Sequence, residues 1–286
     1  MSEKTRAVRH YYDQNTRLFL SLGSSPETQS IHRAVWGEGV TSLGQALNYT
    51  NGLILGELHQ LSQHLAPERV RIADLGCGVG GSLFYLLEHL DTPVLGVGLT
   101  ISPVQARIAR KRLSQKESSH PCHFLEADFQ AIPFAPGMEV VYSVEAFVHA
   151  TDPRGYFEGV SRVLNTGGRL ILCDDFLSQA ALPGQVAESW LEAYRSGWQV
   201  NSLHTLEEVE KLARAHQLAL VRCEDLTPYL RLRALPDRLA RLLLRVGRAL
   251  PIKHAILPSM LGSMALQQCL HMGIIQYGFL VFEKQA

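Results

Sequence analysis

The sequence predicts an α/β protein: a mostly parallel seven-stranded sheet with helices on both faces and a helical lid. Three observations predict it. Short apolar runs of strand length recur from residue 70 onward. Segments with apolar residues at helical spacing lie between most of them. The first run ends in a glycine cluster that opens directly into one of those helices. Strands that alternate with helices pair in parallel, with helices covering the sheet.

The elements follow in order. The first 65 residues read as helical with polar breaks, as at 21–30. Val70–Leu75 is the first strand, and Ser82–Leu90 the helix after it. Pro93–Gly98 is a second strand, followed by a helix over Pro103–Leu113 that opens on Ser102-Pro103, a cap residue and a first-turn proline. Cys122–Leu125 and Met138–Val144 are the third and fourth strands. Tyr156–Leu164 is helical, and Asn165-Thr-Gly-Gly ends it in a turn before the fifth strand, Arg169–Asp174. A helix at Leu206–His216 and strands at Leu218–Glu224 and Ile274–Phe282 complete the core. The organisation is thus an N-terminal helical lid (1–65), a core (66–226), a basic helical insertion (227–271) and a last core strand (272–286).

Composition narrows the function. The chain has 286 residues, 46% hydrophobic and 19% charged, with 27 basic against 27 acidic side chains. That is a globular balance without the basic field of a general nucleic-acid binder. No apolar run approaches the ~18 residues that a membrane span needs. The start, MSEKTRAVRHYYDQN, has no apolar signal segment, so a cytoplasmic location is expected. The cysteines Cys77, Cys122, Cys173, Cys223 and Cys269 are scattered, odd in number and without a CxxC pair. Neither a disulfide framework nor a metal site is expected.

Ligands of open α/β sheets sit beyond the carboxyl ends of the strands. Asp74-Leu-Gly76-Cys77-Gly78-Val-Gly80-Gly81 occupies such an end. Gly76, Gly78 and Gly81 satisfy GxGxxG, which also serves dinucleotides. Dinucleotide binding calls for an acid about 20 residues on, at the next strand end; here that end reads Gly98-Leu99-Thr100. The acid precedes the glycines instead, at Asp74. This suits S-adenosylmethionine: glycines let the backbone approach closely, and a strand-end carboxylate receives the ligand's amino group.

VRIADLGCGVGGS resembles the first motif of class I methyltransferases. GVGLTISPVQ (96–105) resembles the GxTLSPxQ segment of tocopherol and sterol C-methyltransferase relatives. The resemblance implies a Rossmann-like fold with S-adenosylmethionine as cofactor. It places Thr100 and Gln105 along that cofactor, with Cys77, Gly78 and Gly80 in the loop. Glu126-Ala-Asp128-Phe129 looks like the motif after strand three, where Asp128 would bond the adenine amino group and Phe129 pack by the ring. His10-Tyr11-Tyr12-Asp13 resembles the YYD motif of a helix that closes over the cofactor, so Tyr12 would touch its methionine end. The chain shares with the tocopherol-like group the lack of an acid after strand two.

Tyr142-Ser143-Val-Glu145-Ala-Phe147-Val-His149 resembles the IEATCHAP segment of sterol C-methyltransferases. Ser143 falls on the cofactor side. Glu145 and His149 match the pattern's glutamate and histidine and are the candidate catalytic residues; Phe147 departs from it and is expected in the acceptor pocket. Methylation of an alkene carbon leaves a carbocation, which π faces or a carboxylate hold until a base removes a proton. Oxygen and nitrogen nucleophiles instead call for a general base, His149 or Glu145. Tyr11, His32, Trp36, Trp190 and Trp198 are further acceptor-side candidates. His32 and Trp36 are four apart, and Trp190, Tyr194 and Trp198 step by four; both spacings serve core or lid packing equally well.

The segment 227–271 holds six arginines and Lys253 against Asp237, a net +6. Arg238, Arg241, Arg245 and Arg248 share one helical face. A solvated face, a diphosphate site or peripheral contact of 231–253 with an anionic membrane all fit that pattern. The expectation is a methyltransferase acting on a small lipophilic acceptor, favoured as C-methylation of an isoprenoid, either an anionic prenyl diphosphate or a sterol- or tocopherol-like molecule. O- or N-methylation of a specialised metabolite is the alternative.

Overall fold

The structure is a computed structural model, and it describes residues 1–22, 32–65, 69–116, 120–179, 184–233, 235–249 and 256–286. Lys253, and the side chains of Arg241, Arg245 and Arg248, lie outside the described residues. The helices are α1 (Glu3–Leu22), α2 (Leu43–Leu65), α3 (Gly81–His89), α4 (Pro103–Leu113), α5 (Pro153–Val163), α6 (Gln185–Trp198), α7 (Leu206–Arg214), α8 (Asp237–Ala249) and α9 (Ile256–His271). The strands are β1 (Val70–Leu75), β2 (Val94–Thr100), β3 (Cys122–Glu126), β4 (Met138–Val144), β5 (Leu164–Leu177), β6 (Leu218–Asp225) and β7 (Ile275–Lys284).

The strands form one sheet in the order β3-β2-β1-β4-β5-β7-β6. Pairings from β3 to β5 are parallel; β7 runs antiparallel to both β5 and β6. The expected seven-stranded, mostly parallel α/β sheet is therefore present. The order reverses between β1 and β4, and the crevice at that reversal is where an open α/β sheet binds its ligand. Central strands are largely apolar and buried: every residue of β4 except Val144 is buried. Both faces are covered, as such strands require. Ile54, Leu58, Leu83, Trp190 and Tyr277 pack in the core on one side; Phe157, Val160, Val209 and Phe282 pack on the other.

Three details differ from the sequence reading. α2 lies on the sheet, with Ile54 and Leu58 fully buried, so the N-terminal 65 residues are not all lid. Among the described residues of that region, α1 and the segment from His32 reach the strand ends. The turn expected at Asn165-Thr-Gly-Gly is absorbed into β5, whose pairing with β4 shifts register between Met138 and Val140. Residues 32–36 are extended rather than helical: Val35 bridges Leu230, and the Trp36 amide donates to the Tyr229 carbonyl.

Among its described residues the insertion carries the helices α8 and α9. α9 packs on α6 through backbone contact, for a Cβ on Gly197 would stand 2.7 Å from the Gly262 Cα. α8 lies against α9 through Ala240, Leu244 and Gly247, and a Cβ on Gly247 would meet Leu261 at 2.8 Å. The opposite side of α8 exposes Leu239, Leu242, Leu243 and Val246. No helix among the described residues is long and apolar enough to cross a membrane.

Candidate active site

A cavity of about 320 Å³ opens at the carboxyl ends of β1, β2 and β4 and runs under α1, α6 and α9. Its floor is the loop after β1. Gly76 has φ 99, and a Cβ there would stand 2.3 Å from the Ala146 Cβ; Gly80 has φ 85, and a Cβ there would stand 2.6 Å from the Phe124 ring. Gly78 has φ 53 and open space where its Cβ would project. Positive φ at three glycines makes the turn, and the missing side chain at Gly78 keeps the cavity clear.

Asp74 lines this floor and is buried. Burial pushes its carboxyl up to about 7, with the Tyr142 hydroxyl pulling the other way. A buried carboxyl without a cation is what a ligand's ammonium group would complete. Thr100 and Gln105 line the same end, and Thr100 Oγ1 donates to Gln105 Oε1 at 2.7 Å. Ser102 caps α4 by accepting from the Gln105 amide at 3.1 Å. Its hydroxyl also donates to Asp13 on α1 at 2.5 Å, and Arg9 pairs with Glu126 at 3.1 Å. The two contacts tie α1 to the ends of β2 and β3. Asp128 and Phe129 line the cavity on a short 3-10 turn, where the Asp128 carboxylate accepts from the Gln130 amide at 3.0 Å. Open glycine backbone, the buried Asp74 and this row of polar side chains fit S-adenosylmethionine.

The far end of the cavity is formed by Tyr11, Tyr12, Phe19, His32 and Trp198 with Glu145 and His149. Glu145 follows β4 in a left-handed conformation, φ 50. A non-glycine residue held there is strained and needs its surroundings to hold it. The Arg33 amide and the Tyr277 hydroxyl donate to its Oε1 at 2.8 and 3.0 Å; among the described residues no hydrogen bond reaches Oε2. Behind it, Arg33 forms a two-pronged pair with the buried Asp175 at 2.6 Å on each oxygen and lies over the Tyr277 ring. Asp175 also accepts from Tyr194. Arg33 and Asp175 are 142 residues apart, and sequence reasoning missed them; two ordinary charged residues carry no local signal.

His149 is close to the Tyr12 hydroxyl (2.7 Å from Nε2) and to the Gln199 carbonyl (3.2 Å from Nδ1). Since a carbonyl only accepts, Nδ1 carries the proton and Nε2 accepts from Tyr12. Burial lowers its pKa to about 4. The imidazole is neutral with both nitrogens engaged, so it positions Tyr12 and is not a free base.

Of the expected residues, Tyr11, His32 and Trp198 reach the aromatic end of the cavity; Tyr12, Asp74, Gly76, Cys77, Gly78, Thr100, Gln105, Asp128 and Phe129 line it as well. Five do not. Ser143 is buried, bonded to the Leu75 carbonyl and the Tyr156 hydroxyl at 2.9 and 2.7 Å, where it ties β4 to β1. Gly80 makes the turn behind the loop. Phe147 packs in the core against Tyr156 and Phe157. Trp190 is 1% exposed, in the core beneath α9. Trp36 stacks under Arg231, whose guanidinium carbon lies 3.2 Å from the ring centre.

Residues 73–172 match the family model described as a methyltransferase domain. A sterol 24-C-methyltransferase of Aspergillus fumigatus is 29% identical over 171 residues, 58% of this chain and 44% of that protein. A chloroplastic tocopherol O-methyltransferase of Arabidopsis thaliana is 26% identical over 160 residues, 54% of this chain and 45% of that protein. The chain thus spans less than half the length of these two relatives. An O-methyltransferase of Pyrenophora dematioidea is 26% identical over 77% of this chain and 78% of its own. Among solved structures, a mycolic acid cyclopropane synthase with bound S-adenosylhomocysteine superposes with TM-score 0.77 at 19% identity, over 99% of each chain. A geranyl diphosphate C-methyltransferase of Streptomyces coelicolor A3(2) gives TM-score 0.65 at 18% identity, also over 99% of each. Residues 73–172 thus match a methyltransferase domain, and the glycine loop and strand order have the arrangement of the class I, S-adenosylmethionine-dependent methyltransferases that the chain resembles.

Proposed function

We propose that the protein methylates a small, neutral, lipophilic acceptor, favoured as C-methylation of an isoprenoid of sterol- or tocopherol-like chemistry. One observation carries this reading: the cavity leads from the glycine loop to an aromatic chamber whose charged lining residues, Asp74, Asp128 and Glu145, are all acidic. No Lys or Arg lines it among the described residues. A diphosphate would enter with its charge uncompensated, which is costly in a buried site, so the prenyl diphosphate form of the expectation is disfavoured. Bound S-adenosylmethionine supplies an electrophilic methyl group on a sulfonium centre. Asp74 and the loop amides hold the cofactor's methionine end, and α1 closes over it. Tyr11, Tyr12 and Trp198 exclude water and offer π faces to the cation that an attacking double bond leaves on the acceptor. Glu145, anchored through Oε1, keeps Oε2 for that cation or for the proton it loses.

O-methylation is the second reading, favoured by the same open oxygen: Glu145 Oε2 would then take the nucleophile's proton. Incubation with deuteromethyl S-adenosylmethionine and a panel of sterols, prenyl alcohols, prenyl diphosphates and phenols tests both by mass spectrometry. Label on carbon of a neutral acceptor supports the first reading; label on oxygen or nitrogen replaces it with the second. The exposed aliphatic face of α8, within a segment of net charge +6, suits docking on an anionic bilayer from which such an acceptor is drawn. Leu242→Ser with Leu243→Ser would abolish co-sedimentation with phosphatidylglycerol vesicles.

A further inference from the structure

We infer that Gln130 is a positioning residue that couples the adenine end of the cofactor site to the lid helix α1. This rests on the methyltransferase reading above, in which Asp128 takes the adenine amino group, and adds how that contact is passed to the lid. Gln130 lies on the 3-10 turn that Asp128 opens, and it lines the cavity together with Asp128 and Thr5. Its side chain bridges two elements. Nε2 donates to Asp128 Oδ1 at 3.0 Å and to Oδ2 at 3.3 Å. Oε1 accepts from the Thr151 hydroxyl at 3.0 Å and from the Asp152 amide, just ahead of α5. A backbone amide can only donate, so the Gln130 oxygen must face Asp152 and its NH2 group must face Asp128.

That orientation sets the direction of a longer chain. The Thr151 hydroxyl gives its proton to Gln130, so the Thr5 hydroxyl on α1, 3.3 Å away, donates to Thr151. Ser2 donates to Thr5 in turn, at 2.8 Å. Ser2, Thr5, Thr151 and Gln130 thus run head to tail from the start of α1 to the Asp128 carboxylate. Thr5 is 4% exposed, so its hydroxyl has little water to turn to, and leaving that bond unmade is costly. Asp128 Oδ1 also accepts from the Gln130 backbone amide at 3.0 Å. Among the described residues Oδ2 receives only the 3.3 Å contact, so it keeps capacity for another donor. A donor there holds the carboxylate against Gln130, and through it Thr151 and Thr5. Linkage makes the effect mutual: seating α1 helps that donor as much as the donor helps seat α1. The contacts of Tyr12 with His149 and Asp13 with Ser102, further along α1, do not pass through Gln130.

Hydrogen exchange of the whole chain tests the coupling with two saturating ligands. One is S-adenosylhomocysteine; the other is S-inosylhomocysteine, whose base carries oxygen in place of the amino group. In the wild type, S-adenosylhomocysteine should slow exchange of amides 6–9 about fivefold more than S-inosylhomocysteine does. Both should protect amides 12 and 13 alike. Thr151→Val keeps the side chain's shape, cuts the chain of hydroxyls and does not touch the cavity wall. It should abolish the difference at 6–9 and weaken S-adenosylhomocysteine binding about threefold in calorimetry. Gln130→Ala should do the same, and adding Thr151→Val to it should weaken binding no further. Equal protection of 6–9 by the two ligands in the wild type overturns the coupling and leaves the methyltransferase reading intact. So does a Thr151→Val variant with a lowered urea midpoint but wild-type protection and affinity, or losses that multiply in the double variant. Failure of the wild type to bind S-adenosylhomocysteine overturns that reading as well.

Discussion

In the proposed reading Asp74 joins the fold to the chemistry at one carboxyl group. In the free protein it titrates near 7, because burial penalises its charged form. A cofactor ammonium needs it ionised. Binding below pH 7 must therefore expel a proton, and affinity falls about tenfold for each pH unit below 7. Calorimetry of S-adenosylhomocysteine in buffers of different ionisation enthalpy should count close to one proton released at pH 6 and close to none at pH 8. Asp74→Asn should bind weakly at both and release none. Tyr12 gives a second test. Its hydroxyl reaches His149, 137 residues away. Tyr12→Phe removes one buried donor and leaves His149 Nε2 unpaired, at a cost of about 1–3 kcal/mol. Urea titration would register that loss, and the variant's weaker hold on α1 should raise the cofactor dissociation constant.

At the scale of elements, sequence signals succeeded where they were local. Ser102-Pro103 fixed the start of α4, and Ser102 does cap it. The apolar run 138–144 is β4 to the residue. The glycine loop was legible because φ of 99, 53 and 85 demands glycine. What could not be read depends on pairings across the fold. An aromatic side chain beside the site has the same sequence signature whether it faces the cavity or the core. The backbone turn after β4 sends Glu145 to the cavity and Phe147 into the core, and the packing of α6 against α9 sends Trp198 to the cavity and buries Trp190. The helical spacing of His32 and Trp36 misled because a bridge from Val35 to Leu230 extends that segment. Two substitutions test these elements. Gly80→Ala forces a Cβ to φ 85 and to within 2.6 Å of Phe124, so it should lower stability by about 2 kcal/mol or more. Arg33→Met leaves Asp175 and Glu145 without their cation; the loss should be about 3–5 kcal/mol, larger than for any single exposed pair such as Arg195 with Glu188.

The whole molecule answers to pH through groups its sheet buries, and here the sign differs from that of an ordinary acid-labile protein. Asp74 is raised to about 7 and Asp174 to about 8, both by burial. Each therefore holds a proton in the folded state that an unfolded aspartate has already lost above about pH 4. The folded state binds more protons, so stability falls as pH rises from about 4 toward 7 and 8, by about 1.4 kcal/mol per unit for each group. His149 works the other way. Its pKa drops to about 4, so the unfolded state takes up a proton first, and stability falls as pH drops from about 6.5 to 4. Between 6.5 and 8 only the aspartates act among these three. The ligand-free protein should thus lose stability over that interval, seen as a falling urea midpoint. Asp174→Asn keeps the carbonyl that accepts from the Val148 amide, and it should flatten the slope up to pH 8. Saturating S-adenosylhomocysteine should remove the Asp74 share alone, because its ammonium offsets the charge that burial disfavours. A urea midpoint that rises from pH 6.5 to 8 in the ligand-free wild type would mean that water reaches both carboxylates, and the pH dependence of cofactor binding assigned to Asp74 would fail with it.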